Sequence, residues 1–289
     1  MKSVSICLVM LAAVCWGVSG GIADILMSKG WDPIVISLCR GLFGFICFFT
    51  WFLFRFRETW IFSTRLYIWS LLAGVGIAGN FTFYFLSIQE SSIAVAATLM
   101  YTAPVFVLLI SFLLLIERST WFKWGCIFGV LIGIILLTGV YNADSISVSF
   151  MGVASGLASA LFYALFIFGF KNACSIGKPQ ITLTIAFFSL SVILFLAADN
   201  NEVAAVVRSN DIGLFLLLGI VGAGISFILY VVGLRGTAPS TASIVAMVEP
   251  VTAALFGVLL IGDELAITQF LGMSIILVTI TLLSVKQSD

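Results

Sequence analysis

Apolar residues run along this chain in long stretches that are separated by short polar or charged segments. Ten stretches are long enough to cross a bilayer, since about 18 or more consecutive, mostly apolar residues predict a transmembrane helix. The pattern therefore predicts ten membrane helices, at residues 5–27, 34–54, 66–88, 91–114, 121–140, 149–170, 180–198, 211–233, 239–261 and 265–284.

The composition agrees with an all-α membrane protein and excludes several functions. Of the 289 residues, 62% are hydrophobic and 9% charged, and the mean hydropathy is +1.25. The chain has no histidine, which excludes histidine-based general-base catalysis and HExxH zinc sites. It also has no P-loop motif, and its net charge of zero offers no basic patch for nucleic acid. We expect no enzyme activity, no metal and no cofactor.

The basic residues predict the orientation of the helices. With the N-terminus inside the cell, ten Lys and Arg residues fall in cytoplasmic segments and only Lys29 and Arg208 in outer loops. Cytoplasmic loops carry an excess of Lys and Arg. The N- and C-termini are therefore expected to be cytoplasmic.

The chain repeats itself at an offset of 146 residues. Between residues 71 and 116, twelve of 46 positions are identical to their counterparts, and Pro104 aligns with Pro250. Each repeat, 1–145 and 146–289, holds five predicted helices, and an odd number inverts the second copy across the membrane. Inverted repeats are typical of secondary transporters with a central site.

A carboxylate and a helix-breaker, Glu249 and Pro250, stand together near the middle of the ninth predicted helix. Proline frees a backbone carbonyl of the preceding turn. Paired interruptions in corresponding helices, here at Pro104 and Pro250, indicate a transport site nearby. Simple kinks are the alternative interpretation.

An ionisable residue inside the membrane is a functional candidate by default. Glu249 can pair as a carboxylate with Arg40 or with a cationic substrate. Burial instead favours the protonated carboxyl, which would carry a coupling proton or serve only as a structural hydrogen-bond donor. Arg40 and Asp24 lie at similar depth in the first two helices, so we expect them to pair, as an outer gate or as a static clamp.

Further polar and aromatic residues fall at the depth expected for a central cavity. Such a mixture of aromatic walls and few polar anchors suits small organic molecules. The predicted substrate-binding residues are Trp16, Asn80, Tyr84, Tyr101, Tyr163, Ser226, Tyr230, Ser243 and Glu249, and the predicted gating or coupling residues are Asp24, Arg40, Pro104, Glu249 and Pro250.

These features together resemble the EamA-type, ten-helix members of the drug/metabolite transporter superfamily. The resemblance covers essentially the whole chain and is carried by Trp16-Gly17, Arg40, the YTAP segment at 101–104, Glu117, Gly125, Pro250, Glu264 and Gly272. It implies a carrier of the bacterial inner membrane with a central cavity, whose relatives export or import amino acids, metabolites or drugs.

The second repeat departs from the family pattern at its sixth and seventh helices. Phe162-Tyr163-Ala164 replaces the tryptophan motif. In the alignment of the two repeats, Ala186 is the counterpart of Arg40, and Ala103 is the counterpart of Glu249. The leading hypothesis is a secondary exporter of amino acids or related metabolites, with protons as a candidate coupling ion. A drug or metabolite facilitator without proton coupling is the alternative, followed by a channel.

Overall fold

Ten long helices make up almost all of the protein. This computed structural model describes residues 2–59, 61–142, 149–262 and 264–288, and the described part contains no β-strand. The ten predicted membrane helices are confirmed, as α1 Ser3–Ser28, α2 Pro33–Phe54, α3 Thr64–Glu90, α4 Ile93–Leu113, α5 Trp121–Thr138, α6 Phe150–Ile176, α7 Pro179–Ala197, α8 Ile212–Gly236, α9 Pro239–Ile261 and α10 Ile267–Lys286.

The connections are short, and a helix-start signal in the sequence sets where most helices begin. The Asp32 side chain accepts from the backbone N–H groups of Ile34 and Val35 at 2.8 and 3.2 Å, and Pro33 occupies the first helical turn. Side-chain caps of this kind satisfy donors that the helix leaves free. The same role falls to Ser63, Ser92, Thr120 and Ser149 before α3, α4, α5 and α6.

Because ten crossings bring the chain back to the side on which it starts, residues 2 and 288 lie on one side of the bundle, here called the terminus side. The other side is called the opposite side. It carries the α1–α2 and α3–α4 connections and a short helix, Asn200–Arg208, between α7 and α8. There the Asp211 carboxylate pairs with Lys29 and accepts from Trp31 Nε1 at 3.0 Å, and these hydrogen bonds lower the pKa of Asp211.

Helices α4 and α9 are both interrupted near their middle. The first half of α4 ends at Met100 and the second starts at Ala103, one residue before Pro104. In α9 the halves are Pro239–Val245 and Val248–Phe256, and Pro250 again follows the break. The two breaks occupy corresponding positions of the two repeats, as the paired prolines predict.

Helix packing follows an inverted symmetry between the repeats. The contacts of α3 with α6 correspond to those of α8 with α1, and the contacts of α4 with α6 correspond to those of α9 with α1. The pairs α2–α7 and α5–α10 each join a helix to its own counterpart. The two-repeat architecture is thus present in the packing, whereas the expected boundary between residues 145 and 146 lies outside the described residues.

Small residues let the paired backbones approach closely. A Cβ added to Gly76 would lie 2.6 Å from the Phe166 nitrogen, and one added to Gly169 would lie 2.8 Å from the Ala73 Cα. Membrane helices associate through such close packing because lipid supplies no hydrophobic driving force between them. The α3–α6 contact is thereby fixed along one wall of the central cavity.

Candidate functional site

A cavity of about 390 Å³ lies between the two repeats. Seven helices contribute to its lining, namely α1, α2, α3, α4, α6, α8 and α9. Its lining reaches the opposite side at Asp24, Gln89 and Ile93, which are all exposed. The cavity is therefore open towards the opposite side and ends near the middle of the bundle.

Glu249 lies in the cavity wall at the break of α9. It is half-buried and belongs to the first turn of the second half-helix, where the helix dipole favours a negative charge. Within the described chain, its carboxylate takes part in no hydrogen bond or ion pair. The carboxylate therefore retains its hydrogen-bonding capacity for a ligand or a proton.

Arg40 lies in the same cavity and is held by an aromatic ring. Its guanidinium carbon is 4.2 Å from the centroid of the Phe81 ring, and Nη1 donates to Ser19 Oγ at 3.4 Å. Gly222 makes room for the side chain, since a Cβ there would lie 3.2 Å from the Arg40 Cδ. The cation is thus fixed by contacts from three helices.

The expected pairing of Arg40 with Asp24 is absent from the described structure. Asp24 lies exposed at the open end of the cavity, while stacking on Phe81 keeps the Arg40 guanidinium at its own position. Arg40 also forms no contact ion pair with Glu249. The cavity consequently presents one guanidinium and two carboxylates that do not neutralise one another by direct contact.

The floor of the cavity is a cluster of aromatic rings. The Trp16 ring lies 4.9 Å from that of Tyr230 and 5.2 Å from that of Phe227, and the Tyr163 ring lies 4.5 Å from that of Phe166. The cluster joins α1, α6 and α8, so it closes the cavity towards the terminus side.

Three polar atoms are buried within this floor. Trp16 Nε1, Tyr163 Oη and Tyr230 Oη have no hydrogen-bond partner in the part of the chain that the structure describes. Tyrosine hydroxyls and indole N–H groups normally find a partner when buried. The aromatic floor therefore contains three polar atoms that make no hydrogen bond to another described residue.

Asn80 lies in the cavity wall, but its side-chain NH2 group is hydrogen-bonded to Ser159 of α6. Its Nδ2 donates to the Ser159 backbone oxygen at 3.1 Å and to Ser159 Oγ at 2.9 Å, and Ser159 Oγ donates to the backbone oxygen of Asn80 at 3.0 Å. Interhelical hydrogen bonds in membranes contribute about 0.6 to 2 kcal/mol each. Both amide donors of Asn80 thus hold α3 against α6, which leaves only Oδ1 for a ligand.

The structure brings together some of the predicted residues and separates others. Eight line the cavity: Trp16, Asp24, Arg40, Asn80, Tyr84, Tyr101, Tyr163 and Glu249. Five are buried and lie outside the lining: Ser226, Tyr230, Ser243, Pro104 and Pro250. For the three polar residues this differs from the expected substrate contact, because the part of the bundle towards the terminus side is packed shut.

Sequence reasoning missed much of the apolar wall. The missed lining residues include Phe81, Phe85, Met100, Phe166 and Phe227. Ile77, Phe81, Tyr84 and Ile88 recur at helical spacing on one face of α3, together with Asn80. Extending the predicted Asn80–Tyr84 face by one turn each way would have found Ile77 and Ile88.

The terminus side is closed by hydrogen bonds between the repeats. Glu117, in the α4–α5 connection, pairs with Lys123 and accepts from the backbone N–H of Ser240 at 3.0 Å and from the Ser240 hydroxyl. Burial alone raises the pKa of Glu117, but the hydrogen bonds from Lys123 and Ser240 outweigh it, and the pKa lies below its ordinary value.

Lys171 and Arg235 form further hydrogen bonds on the terminus side, within the second repeat, at the ends of α6 and α8. Lys171 Nζ donates to the backbone oxygens of Leu234, Arg235 and Thr237 at 2.7, 3.1 and 2.8 Å. Arg235 Nη2 in turn donates to the Gly177 oxygen at 2.7 Å. Charge-assisted bonds to carbonyls at a helix end satisfy groups that the helix itself cannot.

The sequence matches a family of transporters along most of its length. The model described as "EamA-like transporter family" matches residues 3–139 and 150–285. These two segments together span nearly the whole described chain.

Individual relatives are transporters by name. The chain is 28% identical over 286 residues to the "Uncharacterized inner membrane transporter YicL" of Salmonella typhimurium, covering 96% of this chain and 93% of the relative. It is 23% identical over 283 residues to the "Uncharacterized transporter YwfM" of Bacillus subtilis, covering 96% and 92%. A crystal structure with 17% sequence identity superposes with a TM-score of 0.75 over 99% of both chains, which shows the shared fold.

Proposed function

We propose that this chain, which belongs to the EamA-like transporter family, is a secondary transporter of small zwitterionic metabolites that works by alternating access. Amino acids or related compounds are the proposed substrates, and export is the proposed direction. The observation that carries the proposal is an aromatic-walled cavity that holds Arg40 and Glu249 without an ion pair between them.

The charges of the cavity fit a molecule with one group of each sign. A substrate carboxylate can meet the Arg40 guanidinium, which offers several donors in a fixed plane. A substrate ammonium can meet Glu249 or Asp24. The apolar body then lies against rings such as Phe81 and Phe166, which line the same cavity. A volume of about 390 Å³ falls within the usual range for small-molecule sites.

The proposed location is the bacterial cytoplasmic membrane, with the terminus side facing the cytoplasm. The excess of Lys and Arg in the terminus-side segments supports this orientation. The conformation described here would then be outward-open, with the cytoplasmic side closed at Glu117.

The test is uptake into proteoliposomes, with a labelled panel of amino acids and small metabolites, with and without an imposed proton gradient. We expect wild type to transport at least one zwitterionic compound, and Glu249→Gln to lose most of that transport because the amide has no negative charge to attract the substrate ammonium. The Glu202→Gln variant is the matched control, since that side chain accepts from the Asp32 N–H at 2.7 Å outside the cavity.

The outcomes separate the candidate mechanisms. Accumulation against a concentration gradient that requires protons, and that Glu249→Gln abolishes, assigns proton coupling to this carboxylate. If the compound only equilibrates across the membrane and Glu249→Gln binds it weakly, the protein is a facilitator in which Glu249 anchors the substrate. Transport that Glu249→Gln leaves unchanged contradicts any role for this residue.

A further inference from the structure

Two corresponding loops of the inverted repeats each carry a glutamate. Glu117 lies between the end of α4 at Leu113 and the start of α5 at Trp121. Glu264 lies between the end of α9 at Ile261 and the start of α10 at Ile267. Inversion of the second repeat places Glu117 on the terminus side and Glu264 on the opposite side.

Glu117 is engaged on the closed side. Its side chain is only 8% exposed. It accepts from Ser111 Oγ at 3.3 Å within its own repeat and from the N–H and hydroxyl of Ser240, the second residue of α9, in the other repeat. These bonds fasten the α4–α5 connection to the start of α9, so the two repeats cannot separate there while they persist.

Glu264 is exposed on the open side, and the structure gives its side chain no hydrogen bond or ion pair within the described residues. At the 146-residue offset, the counterpart of Ser240 is Ala94, the second residue of α4. The counterpart of Glu117 at this offset is Asp263, which directly precedes Glu264 in the sequence and lies outside the described residues. The adjoining Ile93 lines the open end of the cavity and is 61% exposed. The first N–H groups of a helix have no acceptor within that helix. The start of α4 therefore has free backbone donors for a carboxylate, as the start of α9 has for Glu117.

Corresponding cavity residues of the two repeats also differ in how they are placed, as Glu117 and Glu264 do. Tyr84 lines the open cavity and is partly exposed, while its counterpart Tyr230 lies outside the lining and is fully buried. Asn80 also lines the cavity but is only 4% exposed, and its counterpart Ser226 lies outside the lining and is fully buried. The Tyr230 hydroxyl is also without a hydrogen-bond partner among the described residues. Exchanging the conformations of the repeats would remove Tyr84 and Asn80 from the cavity lining and bring Tyr230 and Ser226 into it.

We propose that Glu117 and Glu264 are alternating locks of the two sides. Glu117 holds the terminus side shut in the present conformation. In the other conformation Glu264 accepts from the backbone N–H groups at Ile93 and Ala94, the opposite side closes, and Tyr230 and Ser226 line a substrate cavity that opens to the terminus side. This inference rests on the proposed alternating-access function.

The two locks differ in strength. Glu117 has a cationic partner in Lys123, the third residue of α5, whereas the third residue of α10 is Gln269. The Gln269 amide donates to the Leu137 oxygen at 3.1 Å and carries no charge. Because a charge-assisted bond is stronger than a neutral one, the Glu117 lock is the stronger. Loss of Glu117 is therefore expected to shift the equilibrium further than loss of Glu264.

The experiment measures labelling by a membrane-impermeant thiol reagent in a variant whose six native cysteines are replaced by alanine. Ala23→Cys reports the open cavity, which Ala23 lines. Ser226→Cys, a nearly isosteric change at a buried position, reports opening to the terminus side. Sealed vesicles of both orientations and detergent-solubilised protein give the side of access.

In the otherwise unchanged protein, we expect fast labelling at position 23 and slow labelling at position 226. Glu117→Gln is expected to raise labelling at 226 at least about fivefold, the effect of losing about 1 kcal/mol from the lock, and to lower it at 23. Glu264→Gln is expected to change both rates in the opposite sense and by less. Glu202→Gln, outside both locks, is expected to change neither.

Ser240→Ala keeps every charge and removes one hydrogen bond of the Glu117 lock, so it provides the same test if Glu117→Gln folds poorly. Unchanged labelling at 226 in a folded Glu117 or Ser240 variant, or shifts in the same sense for Glu117→Gln and Glu264→Gln, would overturn the proposal. Labelling requires no substrate, so a failed search for transported compounds counts against the proposed function without affecting this result.

Discussion

At the level of single residues, the structure shows which polar side chains can be located from sequence and which cannot. Glu249, Arg40 and Tyr84 could be predicted as cavity residues because isolated polar groups in apolar helices rarely face lipid. The expected Arg40–Asp24 pair is not formed in this conformation, whose cavity is open at Asp24. The Arg40 guanidinium instead stacks on the ring of Phe81, which belongs to a third helix, α3. The spacing of residues along the sequence does not reveal such a contact.

Titration of Glu117 is a testable consequence at this scale. Its pKa lies below the ordinary value of 4.5, because the bonds from Lys123 and Ser240 outweigh the effect of burial. A depressed pKa contributes stability that is fully present above the ordinary value and is lost as the pH falls through the lowered one.

We therefore expect thermal unfolding in detergent to show a stability contribution of about 1 kcal/mol from Glu117 near pH 6, which is lost as the pH falls through its lowered pKa. The midpoint of wild type would exceed that of Glu117→Gln by about 2–4 °C at pH 6 and converge with it at low pH. Because other carboxylates titrate equally in both proteins, the difference isolates Glu117. A constant difference across this range contradicts the assigned interaction.

At the level of helices, the number and extent of the membrane spans followed from the apolar runs alone, and the breaks in α4 and α9 followed from the two aligned prolines. The pairing of helices did not. Close contacts such as α3 with α6 depend on which glycines face a neighbouring backbone, and the sequence shows only that many glycines lie within helices.

Two glycines of α5 provide a matched test of this packing. A Cβ at Gly133 would lie 2.9 Å from the Gly272 oxygen and 2.6 Å from the Ile276 Cγ1, whereas a Cβ at Gly125 would meet no atom within 4 Å. We expect Gly133→Ala to lower the free energy of unfolding by about 1–3 kcal/mol through overpacking. Gly125→Ala is expected to be neutral or stabilising by up to about 1 kcal/mol. Equal unfolding midpoints in detergent would contradict the α5–α10 contact.

At the level of the whole molecule, the inverted repeat was visible in the sequence, but the conformation adopted by the two repeats was not. Tyr84 and Tyr230 are equivalent at the level of sequence, and only the structure shows that one lines the cavity while the other is buried. The positions that the two halves share fit both conformations, so the repeat pattern alone does not specify which side is open.

The orientation in the membrane remains a prediction of the charge distribution and can be tested directly. With native cysteines replaced, Ile61→Cys and Ala205→Cys place single thiols in the two longest polar connections. An impermeant reagent applied to intact cells is expected to label position 205 and to label position 61 only after the membrane is permeabilised. The reverse pattern would place the terminus side outside the cell and reverse the proposed direction of opening.

The unpaired donors in the cavity floor have a mechanical consequence. A buried polar group without a partner costs about 1–3 kcal/mol, and Trp16 Nε1, Tyr163 Oη and Tyr230 Oη lie together at the seam between α1, α6 and α8. Water or a polar solute entering that seam would relieve the cost, so the floor is weakest along this line. The aromatic floor that separates the two sides is thus expected to open first between α1, α6 and α8, at the depth that a transported substrate has to cross.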